Sequence, residues 1–159
     1  MDIICLDLEG VLVPEIWIEF AEATGIGALR KTTRDVADYD ELMRFRLAEL
    51  DKHDMRLDAI EAVIGSLAPM PGAADFLTSL RERYQVIILS DTFYEFARPL
   101  MAQLGWPTLF CHHLLVDASG RIEGYKLRQA EPKNSSVAAL QSLNFRVIAA
   151  GDSYNDTAM

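Results

Sequence analysis

The chain has 159 residues, of which 50% are hydrophobic, with 15 basic and 24 acidic side chains and a formal net charge of −9. This length suits one main domain with a sizeable core, and the acidic balance excludes a nucleic acid as the expected partner, because a polyphosphate backbone needs a basic surface. The apolar runs are far shorter than the roughly 20 residues that span a bilayer, and the N-terminus lacks a secretory leader, so we expect no membrane association and a cytoplasmic location.

The first predicted strand covers residues 3–6 and runs directly into the sequence DLEGVL. Residues 15–67 then show several helical patterns and no convincing strand. The predicted helices of this segment cover residues 16–23, 41–50 and 57–64, and glycines at positions 25 and 65 end the first and the last of them. An all-helical insertion directly after the first strand predicts a small helical cap.

Helices and strands alternate in the rest of the chain. The predicted helices cover residues 73–84, 93–104 and 135–143, and the predicted strands cover residues 86–89 and 146–150. The first of these helices is predicted to place one apolar face on the core, made of Ala73, Phe76, Leu77 and Leu80. Turn residues at 117–121 between two apolar stretches indicate a hairpin within residues 112–125.

This alternation predicts an α/β fold, a doubly wound parallel sheet covered by helices. We expect the core to comprise residues 1–14 and 68–159, and the cap to comprise residues 15–67. The chain ends at Met159, a few residues after the sequence GDSYND at 151–156, where a helix should begin. We therefore expect this type of sheet to continue with a further helix and strand beyond Met159.

Asp7 and Glu9 follow the first strand, at the edge where open α/β folds gather their ligands. A carboxylate there can attack phosphorus if a cation screens its charge. A second carboxylic group can protonate the leaving oxygen and later activate water. An acid-x-acid triplet is a weak signal when taken alone, and ordinary turn acids are the alternative interpretation.

Three further segments place polar groups at strand ends or helix starts. Asp152 and Asp156 offer the oxygen ligands that Mg²⁺ prefers, although either could simply cap a helix. Ser90 and Asp91, after the second strand, could offer a hydroxyl and backbone amides to a phosphate, with a helix cap again as the alternative. Lys133 could neutralise a phosphate, but a lone lysine is usually a solvated surface residue.

Taken together and in this order, these four segments resemble the four motifs of the haloacid dehalogenase superfamily. The resemblance covers nearly the whole chain. It implies a Mg²⁺-dependent phosphoryl transfer through an aspartyl-phosphate. It implies that Asp7 is the nucleophile, that Glu9 is the general acid/base, and that Ser90 and Lys133 bind the phosphate. The implied magnesium ligands are Asp7, Asp152 and the backbone carbonyl of Glu9, with Asp156 in or just behind the metal shell.

The second acid departs from the usual family pattern, because Glu9 stands where Asp is typical. The sequences DLEGVLVPE at 7–15, SDTF at 90–93 and GDSYND resemble a narrower bacterial subgroup of the phosphoserine phosphatase branch. Members of that subgroup are described as bifunctional phosphoserine phosphatases and phosphoserine:homoserine phosphotransferases. The resemblance implies phosphoserine as the small-molecule substrate, leaves water or homoserine open as the acceptor, and is compatible with a homodimer.

The resemblance also implies how the amino-acid end of the substrate would be held. Glu15 would accept from its ammonium, Arg46 would pair with its carboxylate, and Asn155 could also touch it. Arg44 and Arg34 remain alternatives to Arg46. Two other classes stay open at this point: a phosphatase of another small phosphometabolite, and a phospho-accepting receiver-type signalling domain.

The remaining reactive side chains give no further site. The two cysteines, Cys5 and Cys111, lack the spacing of a zinc site, and we expect neither a disulfide nor zinc. For the three histidines, including His112 and His113, surface or packing roles are expected. Trp17 is interpreted as filling the core or the cap.

Overall fold

The computed structural model describes the backbone of residues 1–159 and the side chains of all of them except Asn155 and Ala158. The strands are β1 (Asp2–Leu6), β2 (Gln85–Phe93), β3 (Thr108–Val116), β4 (Ile122–Lys126) and β5 (Arg146–Ala150). The α-helices are α1 (Ile16–Thr24), α2 (Tyr39–Lys52), α3 (Leu57–Gly65), α4 (Ala73–Arg81), α5 (Tyr94–Gln103) and α6 (Pro132–Ser142). Two 3-10 helices cover Gly27–Arg30 and Tyr154–Ala158.

The five strands form one sheet in the order β4-β3-β2-β1-β5. β1 pairs in parallel with both β2 and β5, and β2 pairs in parallel with β3, while β4 returns antiparallel along β3. The predicted α/β fold with a mostly parallel sheet is therefore confirmed, and so is the predicted hairpin. Because β1 lies between β2 and β5, the residues that follow these three strands meet at one edge of the sheet.

Helices pack on both faces of the sheet, as in a doubly wound fold, although the edge strand β5 is largely exposed. Alternate residues of β1 point to opposite faces. Cys5 packs with Val137 of α6 on one face, whereas Leu6 belongs to a larger cluster on the other. That larger cluster also contains Phe20 and Ile60 from the helices between β1 and β2, so these helices share one hydrophobic core with the sheet. The division into a core of residues 1–14 and 68–159 and a helical cap of residues 15–67 stays a prediction.

The helical segment is also tied to the β3–β4 hairpin by polar contacts. Arg121 of the hairpin forms two hydrogen bonds with Asp51 near the end of α2, at 2.7 and 2.9 Å. The backbone amide of Leu57 donates to the carbonyl of Gly120 at 2.8 Å. Near the start of α2, the Tyr125 ring packs edge-on against Tyr39 with 5.8 Å between ring centroids. The hairpin therefore contacts both ends of α2.

Three local predictions differ from the structure. Phe76 was expected in the core but is 50% exposed, because α4 turns only Ala73 and Leu77 fully inward. β2 does not end at residue 89 but continues to Phe93, with an irregular register after Leu89. α6 begins at Pro132, so Lys133 lies inside its first turn instead of before the helix.

Within the described residues, none of the helices is long and apolar enough to cross a membrane.

Candidate active site

One cavity of about 710 Å³ opens at the carboxyl edge of the sheet, between the strand ends and the helical segment. It is lined by most of the predicted site residues, namely Asp7, Glu9, Glu15, Arg46, Ser90, Asp91, Lys133 and Asp152. Asp156 is buried beside it and contacts Lys133. Asn155 was predicted to touch the substrate, but its side chain lies outside the described residues. The geometry thus brings together segments that are far apart in the sequence.

Asp7 is a buried carboxylate held by two neighbours. One oxygen accepts a hydrogen bond from the backbone amide of Leu8 at 2.7 Å, and the other lies 3.1 Å from Nζ of Lys133. Burial raises the pKa of Asp7 to about 6, although Lys133 opposes this shift. At neutral pH Asp7 is therefore mainly ionised, as a nucleophile must be.

Glu9 lies in the loop after β1, and one of its carboxylate oxygens accepts a hydrogen bond from the backbone amide of Ile16 at 3.0 Å. Burial is the main cause that raises the pKa of Glu9 to about 7, and the negative charges of Asp7 and Glu15 add to the effect. A carboxyl group with a pKa near 7 can give and take a proton at neutral pH. This is the property that a general acid/base needs.

Three carboxylates could share a cation at this edge of the sheet. Asp7, Asp152 and Asp156 each offer an oxygen within 4.8 Å of the others, which suits the oxygen ligands that Mg²⁺ takes. Asp156 is already engaged, since one oxygen lies 2.5 Å from Nζ of Lys133 and the other accepts from the amide and hydroxyl of Ser153. Asp7 and Asp152 are therefore the side chains best placed to face a metal ion, with Asp156 behind them.

Gly10 makes room for the Asp152 carboxylate. The backbone of Gly10 has a φ of +77°, and a Cβ added there would lie 2.1 Å from Oδ2 of Asp152. A side chain at position 10 and the present position of Asp152 therefore exclude each other. The close approach of the Gly10 backbone to this carboxylate is a second indication, independent of the carboxylate cluster, that the loop conformation fits Asp152 in this position.

β2 and α6 contribute Ser90 and Lys133, the predicted phosphate ligands, to the lining of the cavity. Ser90 is buried, and its hydroxyl accepts from the backbone amide of Thr92 at 3.3 Å. The register between β2 and β3 is irregular from Leu89 to Phe93, a stretch that includes Ser90, and such irregularities bend a strand. Lys133 is buried as well and faces Asp7, Asp156 and, at 3.8 Å, Asp91. The predicted surface alternative for Lys133 is thus wrong.

Helix α2 contributes a buried guanidinium to the cavity, that of Arg46. Arg46 donates to the backbone carbonyl of Lys31 at 2.8 Å and lies over the ring of Trp17, 4.5 Å from the ring centroid. Burial lowers the pKa of Arg46 to about 10, which leaves it charged at neutral pH. Its Nε is buried and, among the described atoms, has no hydrogen-bond partner. A buried donor without a partner is costly and is expected to meet one in a ligand.

The two alternative arginines are placed differently. Arg44 is exposed, donates to the carbonyl of Asp40, and does not line the cavity. Arg34 is also exposed, but it does line the cavity. Of the three arginines only Arg46 and Arg34 line the cavity, so Arg46 stays the predicted partner of a carboxylate and Arg34 stays its alternative. Glu15 also lines the cavity and offers a counter-charge for an amine.

Sequence reasoning missed three residues that line the cavity. Trp17 was interpreted as a filler, yet its ring supports the guanidinium of Arg46. The Tyr39 hydroxyl donates to the carbonyl of Asp91 at 3.4 Å and so links α2 to β2. His112 is only 2% exposed and faces Asp91. No short motif marks these roles, because each depends on a contact between distant parts of the chain.

Comparison with known proteins places the chain in a family of hydrolases. The family of haloacid dehalogenase-like hydrolases matches residues 1–159. The chain is 64% identical over all 159 residues to phosphoserine phosphatase ThrH of Pseudomonas aeruginosa and covers 78% of that protein. It is 62% identical over 159 residues to a phosphoserine phosphatase of Pseudomonas syringae pv. tomato and covers 67% of it.

Two solved structures of phosphoserine phosphatases have the same fold as this chain. A phosphoserine phosphatase in apo form superposes with a TM-score of 0.77 at 21% identity, over 99% of this chain and 80% of that one. A phospho-aspartyl intermediate analogue of phosphoserine phosphatase gives a TM-score of 0.77 at 20% identity, with the same coverage. At these identities the likeness establishes the fold.

Proposed function

The chain belongs to the haloacid dehalogenase-like hydrolases, and on this premise we propose that it hydrolyses O-phosphoserine through an aspartyl-phosphate on Asp7. The observation that carries the proposal is the set of side chains that line one cavity. Asp7 after β1 and Lys133 on α6 line it together with Arg46 and Glu15 of the helical segment. This arrangement is complementary to a substrate with a phosphate at one end and an amino acid at the other. The relatives at 64% and 62% identity are both named phosphoserine phosphatases, which supports the same substrate.

The proposed first step transfers the phosphoryl group to the protein. An oxygen of Asp7 attacks phosphorus, the bond from phosphorus to the serine oxygen breaks, and the carboxyl group of Glu9 gives its proton to that oxygen. Lys133 and Ser90 hold the phosphoryl oxygens while the negative charge shifts. The pKa of about 7 for Glu9 means that a useful fraction carries this proton at neutral pH.

The second step returns Asp7 to its starting state. Glu9, now a carboxylate, takes a proton from water, whose oxygen attacks phosphorus and displaces the Asp7 carboxylate, so that inorganic phosphate leaves. We further propose Mg²⁺ as the cofactor, held by Asp7, Asp152 and the backbone carbonyl of Glu9, with Asp156 behind them. When bound, the ion supplies positive charge between the carboxylates and the phosphate.

Homoserine is proposed as an additional acceptor in the second step. The sequence DLEGVLVPE, with Glu instead of Asp at position 9, supports this proposal through its resemblance to the bifunctional subgroup. The receiver-type alternative has lost its basis, because the family match over residues 1–159 is to hydrolases. A phosphatase of another small phosphometabolite remains the competing outcome of the test.

The test is direct. The protein is incubated with O-phosphoserine and Mg²⁺, with and without homoserine, and free phosphate and phosphohomoserine are quantified. A chelator control and a panel of other small phosphorylated metabolites accompany the assay. We expect Mg²⁺-dependent release of phosphate with phosphoserine preferred. A better turnover of a phosphometabolite without an amino-acid end would contradict the proposed substrate.

Replacing Arg46 with Ala is expected to harm phosphoserine turnover far more than turnover of a generic aryl phosphate. The reason is that a carboxylate clamp contributes only when the substrate has a carboxylate. Loss of a charge-assisted pair in a closed site costs roughly 2–5 kcal/mol, so the ratio of the two kcat/KM values should change by a factor of about ten or more. The measurement is this ratio, which a general loss of folded protein leaves unchanged.

Arg44→Ala is the matched control for this experiment, because Arg44 lies on the same helix but outside the cavity. It should leave the ratio unchanged. Equal losses of Arg46→Ala on both substrates would mean that Arg46 supports the helical segment or the chemistry in general. Arg34→Ala is then the next variant to test.

Replacing Glu9 with Asp is expected to shift the partition between water and homoserine while the aspartyl-phosphate still forms. A carboxylic acid remains to protonate the leaving oxygen. The second step, however, depends on where the same group meets the incoming hydroxyl, and the side chain is now shorter by one methylene. The readout is the ratio of phosphohomoserine to free phosphate at matched acceptor concentration. An unchanged ratio would locate acceptor choice elsewhere, around Glu15 and Arg46.

A further inference from the structure

We propose that His112 is a positioning residue, which holds the Asp91 carboxylate away from Lys133 and so keeps the Lys133 ammonium available to the phosphate. The proposal rests on the proposed function of this cavity and assigns a role to a histidine that the motifs do not include. It is carried by three observations: the hydrogen bond on one side of the imidazole ring, the carboxylate on its other side, and the crowding around Lys133.

The first observation fixes the tautomer of the neutral ring. Nδ1 of His112 accepts a hydrogen bond from the backbone amide of Arg128 at 3.0 Å. A nitrogen that accepts from an amide carries no proton, so in the neutral ring the proton is on Nε2. The ring is 2% exposed and packs against Phe93, with 6.2 Å between the ring centroids. The protein backbone therefore selects one tautomer and one orientation.

The second observation is where Nε2 points. It lies 3.7 Å from Oδ1 of Asp91, and His112 and Asp91 both line the cavity. The Asp91 side chain is 44% exposed, so packing alone does not fix its position. The backbone carbonyl of the same residue accepts from the Tyr39 hydroxyl at 3.4 Å. Tyr39 of α2 thus holds the backbone carbonyl of Asp91, while the Asp91 carboxylate faces the N–H of His112.

The third observation explains why this carboxylate needs to be held. The ammonium of Lys133 has three N–H groups. Asp7 and Asp156 stand at 3.1 and 2.5 Å from Nζ, which leaves one N–H for a phosphate oxygen. The other oxygen of Asp91 is the next carboxylate, at 3.8 Å from Nζ. A small rotation of Asp91 would place it on the third N–H and bring an additional negative charge to the phosphate site.

Two substitutions separate the two sides of the His112 ring. His112→Asn keeps an acceptor near the position of Nδ1 for the Arg128 amide but does not reach Asp91. His112→Gln carries an amide N–H near the position of Nε2. His113→Asn is the matched control, because His113 is the next residue of β3 and its side chain is 58% exposed.

We expect His112→Asn to weaken the binding of inorganic phosphate in the presence of Mg²⁺ and to raise KM for phosphoserine more than it lowers kcat. The loss in kcat/KM should be roughly 10- to 100-fold, as for other misplaced active-site groups. His112→Gln should recover most of it, and His113→Asn should match the wild type. Equal losses for the Asn and Gln variants, with no change in phosphate affinity, would overturn the proposal.

The decisive comparison uses Asp91→Asn as a second background. An amide at position 91 is not attracted to Lys133, so adding His112→Asn should then cost less than threefold, by the usual additivity of unconnected residues. The same loss in both backgrounds would show that His112 acts through the fold instead of through Asp91, which overturns the proposal.

Nitrogen-15 NMR of the imidazole tests the premise without any turnover. We expect a protonated Nε2 and an unprotonated Nδ1, and the opposite tautomer would overturn the proposal. A wild-type protein that bound phosphate but released none from phosphoserine would contradict the proposed function. The tautomer and the phosphate affinities of the variants would still decide the role of His112.

Discussion

Replacing Asp7 with Asn should abolish turnover and leave the fold intact. An amide oxygen cannot replace the attacking carboxylate oxygen, and an amide also weakens the proposed metal site. Stability should be kept or slightly raised in the absence of metal. The pKa of Asp7 is raised by burial to about 6. Its charge is therefore unfavourable to the folded state at neutral pH, with a loss of stability that develops as pH rises from about 4 through 6.

The measurements are phosphate release, trapping of the phosphorylated protein, and thermal unfolding. Asp2→Asn is the matched control, because Asp2 lies at the opposite end of the same strand and forms a surface ion pair with Arg146. It should retain full turnover. Wild-type phosphate release by Asp7→Asn, or an undiminished yield of phosphorylated protein, would show that another residue is the nucleophile.

Replacing Gly10 with Ala should remove most of the activity by displacing Asp152. The added Cβ would lie 2.1 Å from Oδ2 of Asp152, and the end of a side chain gives way before a backbone does. We therefore expect Asp152 to swing out of the carboxylate cluster, so that the affinity for Mg²⁺ falls sharply. The fold should lose only the cost of a side chain in the left-handed region, about 1–2 kcal/mol.

Gly25→Ala controls for the backbone strain in this experiment. Gly25 has a φ of +72°, close to the +77° of Gly10, but a Cβ there meets nothing within 4 Å. Both variants should lose similar amounts of thermal stability, and only Gly10→Ala should lose metal affinity, measured by calorimetric titration with Mg²⁺. A Gly10→Ala protein that binds Mg²⁺ as the wild type does would remove Asp152 from the proposed metal site.

The sequence predicted the parts of the site that follow from local order along the chain. Asp7, Ser90 and Asp152 each follow an apolar run, and the carboxyl ends of parallel strands meet at one edge, so their proximity could be expected. The exposed position of Phe76 could not, since helical spacing identifies an apolar face but not whether another element covers all of it. The continuation of β2 to Phe93 could not be expected either. There the pairing of Phe93 with His112 of β3 outweighs the turn propensity of Ser90 and Asp91.

The contacts of Trp17, Tyr39 and His112 illustrate the same limit within the site. Each touches a site residue that is remote in the chain: Trp17 contacts Arg46, Tyr39 contacts Asp91, and His112 contacts Asp91. Spacing rules describe neighbours along one helix or strand, whereas these contacts depend on how separate elements pack together. Only the assembled fold reveals them.

The central position of β1 has a consequence for how the protein folds during its synthesis on the ribosome. β1 is synthesised long before β5, yet β5 is one of its two neighbours, with Asp2 opposite Arg146. Pairings between such distant segments form slowly and late. Asp7 therefore leaves the exit tunnel long before Asp152 can join it. A nascent chain that has not yet reached β5 lacks the full carboxylate cluster, so the proposed chemistry has to wait until β5 is in place.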